Sequence, residues 1–233
     1  MEFEGKHVVV TGGSGALGSA VVAALVEREA HVHVPVFAPK ELDRFTLRTH
    51  ERVSVRAGLD MTVERTVEHY YAELPSLYAS IHVAGGFAMA KLADTSLQDL
   101  LHLMNMNAVT CFLATREAVK AIRKSGGGGR VVNVAAKPGM MPSLGAGLAA
   151  YTASKAAVVA LTQALAEELA PEGIWVNAVA PSTMDTPANR ASMPDADHAS
   201  WPKPSEVAEA IVQLASPKNA VVRGAIVPVF GRA

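Results

Sequence analysis

The chain has 233 residues, 50% of them hydrophobic but only 5% aromatic, so one sizeable core can be built from Ala, Val, Leu and Met, and a disordered chain is excluded. Lys plus Arg number 21 and Asp plus Glu 22, for a net charge of -1, which leaves no electrostatic footprint for nucleic acid or an anionic membrane. The one cysteine, Cys111, rules out an internal disulfide and a multi-thiolate metal site, fits a reducing compartment, and reads as a small buried hydrophobe.

The opening run MEFEGKHVVVTGG carries two glutamates and no apolar stretch of signal-peptide type, and no run of about 18 apolar residues follows anywhere, so a cytoplasmic protein is expected. Short Val-rich runs then alternate with helical patterns to the end of the chain. Strands are expected at His7 to Thr11, His31 to Val36, Val53 to Arg56, Ser80 to Ala84, Arg130 to Ala135, Ile174 to Ala180 and Ala225 to Val229. Helices are expected at Ala16 to Glu29, Thr62 to Leu74, Leu97 to Lys124, Ala149 to Ala170 and Ser205 to Ala215. Because most crossovers contain a helix, the expectation is one α/β domain over residues 1–233, doubly wound, with a seven-stranded parallel sheet covered on both faces. The four glycines Gly126 to Gly129 read as a helix stop and turn. The stretch Pro181 to Pro204, with five prolines and little periodicity, is too long for an ordinary connection and reads as a substrate lid.

Between the first strand and the first helix stands Gly12-Gly13-Ser14-Gly15-Ala16-Leu17-Gly18. Gly13, Gly15 and Gly18 satisfy G-x-G-x-x-G in the strand-turn-helix context that the dinucleotide fingerprint requires, with phosphate attracted to the helix N-terminus, so the sheet is expected to be Rossmann-like. The second strand ends His33-Val34-Pro35-Val36-Phe37 without the carboxylate that would hold a ribose 2′-hydroxyl. Lys40 and Arg44 could meet a 2′-phosphate but read better as a solvated face, so NAD and NADP both stay open.

Tyr151 and Lys155 are four residues apart at the start of a strong helical run and share one face. A free phenol titrates near ~10, and a neighbouring ammonium favours the phenolate, which makes Tyr151 a usable acid or base. Combined with the glycine turn, this pair resembles the short-chain dehydrogenase/reductase family over the whole chain. The resemblance implies that Gly12 to Gly18, Asp60, Met61, Ala84, Gly85, Gly86, Pro181, Thr183 and Thr186 contact the cofactor, and that Val83 replaces a usual asparagine. It further implies Tyr151 as proton donor, Lys155 as its partner and ribose ligand, and Asn107 as holder of a relay water. Assembly as a homodimer or homotetramer, through the helices at Leu97 to Lys124 and Ala149 to Ala170, is implied in the same way.

One position departs from the family. Its substrate-binding serine follows the fifth strand, where this chain reads Asn133-Val134-Ala135-Ala136-Lys137, with Ala136 in the slot; Ser143 is a candidate replacement. A reaction without a single carbonyl oxygen to hold would tolerate Ala136, and quinonoid dihydropterin reduction is one. The segment Thr183 to Trp201, with its Asp-Thr-Pro-Ala-Asn-Arg run, and Val83 to Phe87 resemble dihydropteridine reductases; within that lid Met193 and Trp201 read either as a cover over the nicotinamide or substrate or as packing of the lid onto the domain. Against those reductases, the chain lacks an acidic residue after the second strand and carries Asn107. A small-molecule oxidoreductase follows, with a ketone or aldehyde reductase, an alcohol dehydrogenase and a non-catalytic dinucleotide sensor as alternatives. The eight histidines show no ligand spacing and no metal is expected, and Met104, Met106, Met140 and Met141 read as core and pocket lining.

Overall fold

Valines in successive positions of the first strand face opposite sides: Val8 and Val10 join one hydrophobic core and Val9 the other. That period of two, repeated in Val131 against Val132 and Val134, is what a sheet buried on both faces demands. The structure, a computed structural model, describes residues 2–232. Its strands are β1 (His7–Thr11), β2 (His31–Val36), β3 (Val53–Ala57), β4 (Ala79–His82), β5 (Gly129–Val134), β6 (Ile174–Pro181) and β7 (Ile226–Val229). All pair in parallel in the order β3-β2-β1-β4-β5-β6-β7, the Rossmann-like doubly wound arrangement expected. The chain reverses direction of travel across the sheet between β1 and β4, and a crevice at the carboxyl ends of those two strands follows from that switch.

Helices α1 (Ala16–Val26), α2 (Glu64–Ala72), α3 (Leu97–Met104), α4 (Thr110–Lys124), α5 (Lys137–Met140), α6 (Ala149–Leu169), α7 (Pro187–Ser192) and α8 (Pro204–Ala215) complete the framework. One core packs α1 and α8 on the sheet through Val21, Leu25, Val207 and Ile211, and the other packs α2, α4 and α6 through Tyr70, Ile122 and Leu169. No helix among the described residues is long and apolar enough to cross a membrane.

Three local expectations are corrected. The first helix stops at Val26 rather than Glu29, whose φ of 68° is left-handed and ends any helix. The single helix expected over Leu97 to Lys124 is two, joined by a π-helical turn at Asn105–Val109, where the extra residue per turn rotates Asn107 inward. The fourth strand leaves the sheet at His82, so Val83 and Ala84 are released to line the crevice. The Gly126 to Gly129 stop is as expected: Gly126, Gly127 and Gly128 all take positive φ between α4 and β5.

His82 lies in the middle of the sheet, 3% exposed, in a chain of hydrogen bonds that fixes its tautomer. Asn133 donates its amide to Thr162 (2.9 Å), so its oxygen faces His82 Nδ1 (2.8 Å), and His82 Nε2 faces the Ser80 hydroxyl (2.9 Å). Burial pushes His82 down to about 4, and burial with the neighbouring imidazoles does the same to His33. An unfolded histidine titrates near ~6.5, so below that pH the unfolded chain binds more protons than the folded one. The stability from both groups is therefore complete above 6.5 and is lost as pH falls toward 4. Urea midpoints should fall by an amount worth a few kcal/mol across this window, starting above the range where carboxylates titrate, and His82→Gln should flatten the slope. A midpoint constant from pH 6.5 to about 5 would refute this.

Candidate active site

The four glycines of the β1–α1 turn are not equivalent. A Cβ on Gly18 would lie 2.0 Å from the Gly12 carbonyl oxygen, and one on Gly12, whose φ is +67°, would lie 2.7 Å from the Ala84 amide nitrogen. A Cβ on Gly13 would meet Val34 Cγ1 at 2.7 Å. These three permit the backbone to pack on itself and on β2, whereas at Gly15 the only neighbour is Gly12 O at 3.4 Å and the space beyond is open. Helix α1 begins there without a side-chain cap or an acidic first turn, leaving its first N–H groups to the crevice. That cradle fits the pyrophosphate of a dinucleotide.

The crevice has two adjoining compartments of about 480 and 440 Å³ that share Gly12, Ser14, Glu41, Ala84 and Gly85. The first is walled by Pro35, Phe37, Leu59 and Met61, apolar surfaces suited to a flat base, and by Asp60, which accepts two hydrogen bonds from Thr62. The second contains Gly86, Ala136, Tyr151, Lys155 and Pro181. An elongated crevice with a glycine cradle at its waist fits a nicotinamide dinucleotide.

Of the sequence candidates, Gly13, Asn107, Thr183, Thr186, Ser143, Met193 and Trp201 do not line either compartment. Thr186 caps α7, accepting from the Asn189 amide at 3.2 Å, and Ser143 is exposed in the turn Pro142–Leu144. Met193 is 39% exposed, and Trp201 tilts against the His198 ring at 4.7 Å. Lining residues that the motifs missed are Phe87, Ser182, Met184 and Glu41. The absence of a carboxylate beyond the second strand is corrected: Glu41, carried back by the tight turn Pro39–Arg44, stands over the glycine cradle with Ser14 donating to it at 2.7 Å. Lys40 and Arg44 are exposed, as expected of a solvated face.

Tyr151 and Lys155 emerge into one compartment from the first turns of α6, but their relation differs from the one expected. The Lys155 ammonium donates to the Val134 carbonyl at 2.8 Å, and burial lowers its pKa to about 8. Burial likewise dominates the phenol and raises Tyr151 to about 12, with no lowering by the lysine. At neutral pH Tyr151 is therefore a protonated donor. Its ring meets Phe87 edge to face at 4.9 Å.

Asn107 braces this arrangement. Its oxygen accepts from Gly86 N–H (3.0 Å) and its amide donates to Gly86 O and Ser154 Oγ (both 3.0 Å), while Ser154 donates to the Tyr151 carbonyl (2.8 Å). The side chain thus ties the loop after β4 to α6 and is spent on protein partners. Two glycines make room for these side chains: a Cβ on Gly85 would fall 2.5 Å from Asn107 Oδ1 and 3.3 Å from Lys155 Nζ, and one on Gly139 would fall 2.7 Å from Lys155 Cβ.

Beyond Tyr151 lies a recess of about 190 Å³ walled by Ala88, Met89, Leu103, Leu148 and Ala150. Ala136 opens α5 with no hydroxyl to offer. The other hydroxyls that line the crevice and recess are committed: Ser14 to Glu41, Thr62 to Asp60, Thr95 to Lys91 O, Thr110 to Met106 O and Ser182 to Phe230 O. Among the described residues Tyr151 is the one lining hydroxyl without a protein partner. No group of three or more His, Cys, Asp or Glu that could hold a metal ion occurs among the described residues.

Comparison with known proteins shows the family and the fold. The family described as short chain dehydrogenase matches residues 6–197. A galactitol 2-dehydrogenase of Rhizobium johnstonii is 33% identical, covering 97% of this chain and 94% of its own. A 3beta-hydroxysteroid dehydrogenase of Mediterraneibacter gnavus is 32% identical over 83% of this chain and 71% of its own. Among solved structures, ElxO with NADP bound superposes with a TM-score of 0.88 at 24% identity, covering 99% of this chain and 98% of that one.

Proposed function

The chain belongs to the short-chain dehydrogenase/reductase family of NAD(P)-dependent oxidoreductases, and from that premise we propose that it reduces a small planar substrate at a conjugated imine-type bond, a quinonoid dihydropterin fitting best. The reduced nicotinamide supplies the hydride when the cofactor is bound. The residues proposed to hold that cofactor are Gly12, Ser14 to Gly18, Asp60, Met61, Ala84 to Gly86, Lys155 and Pro181; Gly13, packed on Val34, and Thr183 and Thr186, outside the crevice, are not among them.

The observation that carries the substrate reading is the solitary free hydroxyl. Reduction of a quinonoid dihydropterin adds one hydride and one proton and gives the tetrahydropterin. Tyr151, protonated up to about 12, can give that proton from its Oη. Lys155 then offers an ammonium beside the phenolate left behind. Asn107 keeps the Gly86 loop and α6 in register and so acts as a positioning residue. The Phe87 ring and the recess beyond Tyr151, apolar except for Thr95 and Asp99, offer surfaces for a planar substrate, and the stretch 181–204 is proposed as the cover, with Met193 and Trp201 on it. Ala136 leaves the substrate side without a second donor, which a delocalised acceptor does not need.

A ketone, aldehyde or alcohol substrate is the second reading, and the sugar-alcohol and steroid names of the relatives favour it. Exposed Leu97, Leu101 and Phe112 on α3 and α4 support assembly as a homodimer or homotetramer. The test is continuous oxidation of NADH and of NADPH by purified protein with a quinonoid dihydropterin. Substrate-dependent oxidation of either cofactor is expected; no oxidation with the pterin alongside oxidation with a simple ketone would overturn the proposal in favour of the second reading.

A further inference from the structure

We propose that Glu41 makes this crevice selective for NADH, taking the role that the bare end of β2 cannot: its carboxylate accepts from the adenosine ribose and repels a 2′-phosphate. The inference rests on reading the crevice as the dinucleotide site. The strand end itself, Pro35-Val36-Phe37, is apolar. Immediately after it the chain winds into the turn Pro39–Arg44, and Glu41 is drawn back by two hydrogen bonds. One carboxylate oxygen accepts from the Ala38 amide at 3.0 Å and the other from the Ser14 hydroxyl at 2.7 Å. The charge is thereby pinned between the glycine cradle and the Pro35 and Phe37 wall, and it lines both compartments.

No permanently charged base offsets it there, and the one imidazole in the lining is that of His102. No lysine or arginine lines the apolar compartment, and Lys155, at the far end, is the one in the other. Lys40 and Arg44, which flank Glu41 in sequence, are exposed and line neither. A phosphate monoester carries roughly -1.5 to -2 charges at neutral pH, so a 2′-phosphate would face a fixed anion without a counter-charge. A ribose hydroxyl in the same place donates to that anion and gains a charge-assisted bond. Selectivity thus arises as much from rejecting one cofactor as from holding the other.

The test is direct binding, read from quenching or enhancement of reduced-nicotinamide fluorescence, for the wild type, Glu41→Gln and Glu41→Ser. The wild type should bind NADH about a hundred-fold more tightly than NADPH, as expected for a like-charge clash of several kcal/mol. Both variants should bring the two dissociation constants within about ten-fold of each other, mostly by tightening NADPH. Glu41→Gln removes the charge and can keep both contacts, its oxygen accepting from the Ala38 amide and its NH2 donating to Ser14 Oγ, so a fault in the turn would show in Glu41→Ser alone. Equal wild-type affinities, or a preference unmoved in Glu41→Gln, would overturn the role of Glu41 while leaving the hydride-transfer reading intact. If neither cofactor bound, the reading of the crevice would fall, and this inference with it.

Discussion

Tyr151→Phe is expected to lower kcat by about 10²–10⁴ with the physiological substrate while the dissociation constant for the reduced cofactor stays the same. Phenylalanine preserves the edge-to-face contact with Phe87 and the wall of the recess, so the loss isolates the hydroxyl. The size of the effect follows from two features. Burial holds the phenol near 12, so it is a full proton donor at neutral pH rather than a mixture with phenolate. Every other hydroxyl lining the crevice already donates within the protein, so no other hydroxyl can take over. Stopped-flow traces of cofactor oxidation separate the chemical step from binding. A loss below about ten-fold would mean that solvent delivers the proton and that Tyr151 is a wall residue.

The second large effect is a gain. Ala136→Ser should raise kcat/KM for simple ketones by about 10²–10³, since a donor aimed at a developing alkoxide is worth about 2.7–4 kcal/mol of transition-state stabilisation. The same substitution should leave dihydropterin reduction unchanged, because charge there spreads over a conjugated ring. Ala136 is 5% exposed at the start of α5, where one added oxygen is the smallest possible change. Steady-state kinetics on both substrate classes check the contrast. An equal gain on both would show that the alanine is merely a weak version of a carbonyl site, and the preference for an imine-type acceptor would be lost.

The fold could be read from the chain because its signals are local. Strands buried on both faces need unbroken Val runs, and Val8 to Val10 supply one next to a glycine turn that only a tight strand-to-helix junction requires. The Tyr151 and Lys155 pair was equally plain, since four-residue spacing on a helix puts both on one face. The chemistry between them was not, because the phenol responds to tertiary burial and the ammonium to the Val134 carbonyl, 21 positions away in sequence. Glu41 escaped notice because its position depends on how the chain folds back after β2, and a carboxylate five residues past a strand end carries no periodic signal. The π turn at Asn107 was hidden for a similar reason: its cause is the pull of Gly86 and Ser154, not a pattern in Leu97 to Lys124. Ser143, Met193 and Trp201 came from loops, where spacing says little about direction.

A crevice whose one free hydroxyl is that of Tyr151, with alanine at 136, is built for a conjugated acceptor. The ratio of kcat/KM for a quinonoid dihydropterin to that for the best of a panel of small ketones and aldehydes, measured on the wild type with its preferred cofactor, tests it most directly. A ratio of at least about a hundred is expected, matching the hydroxyl that Ala136 lacks. A ratio below one would contradict this expectation and identify the protein as a carbonyl reductase that works without the serine.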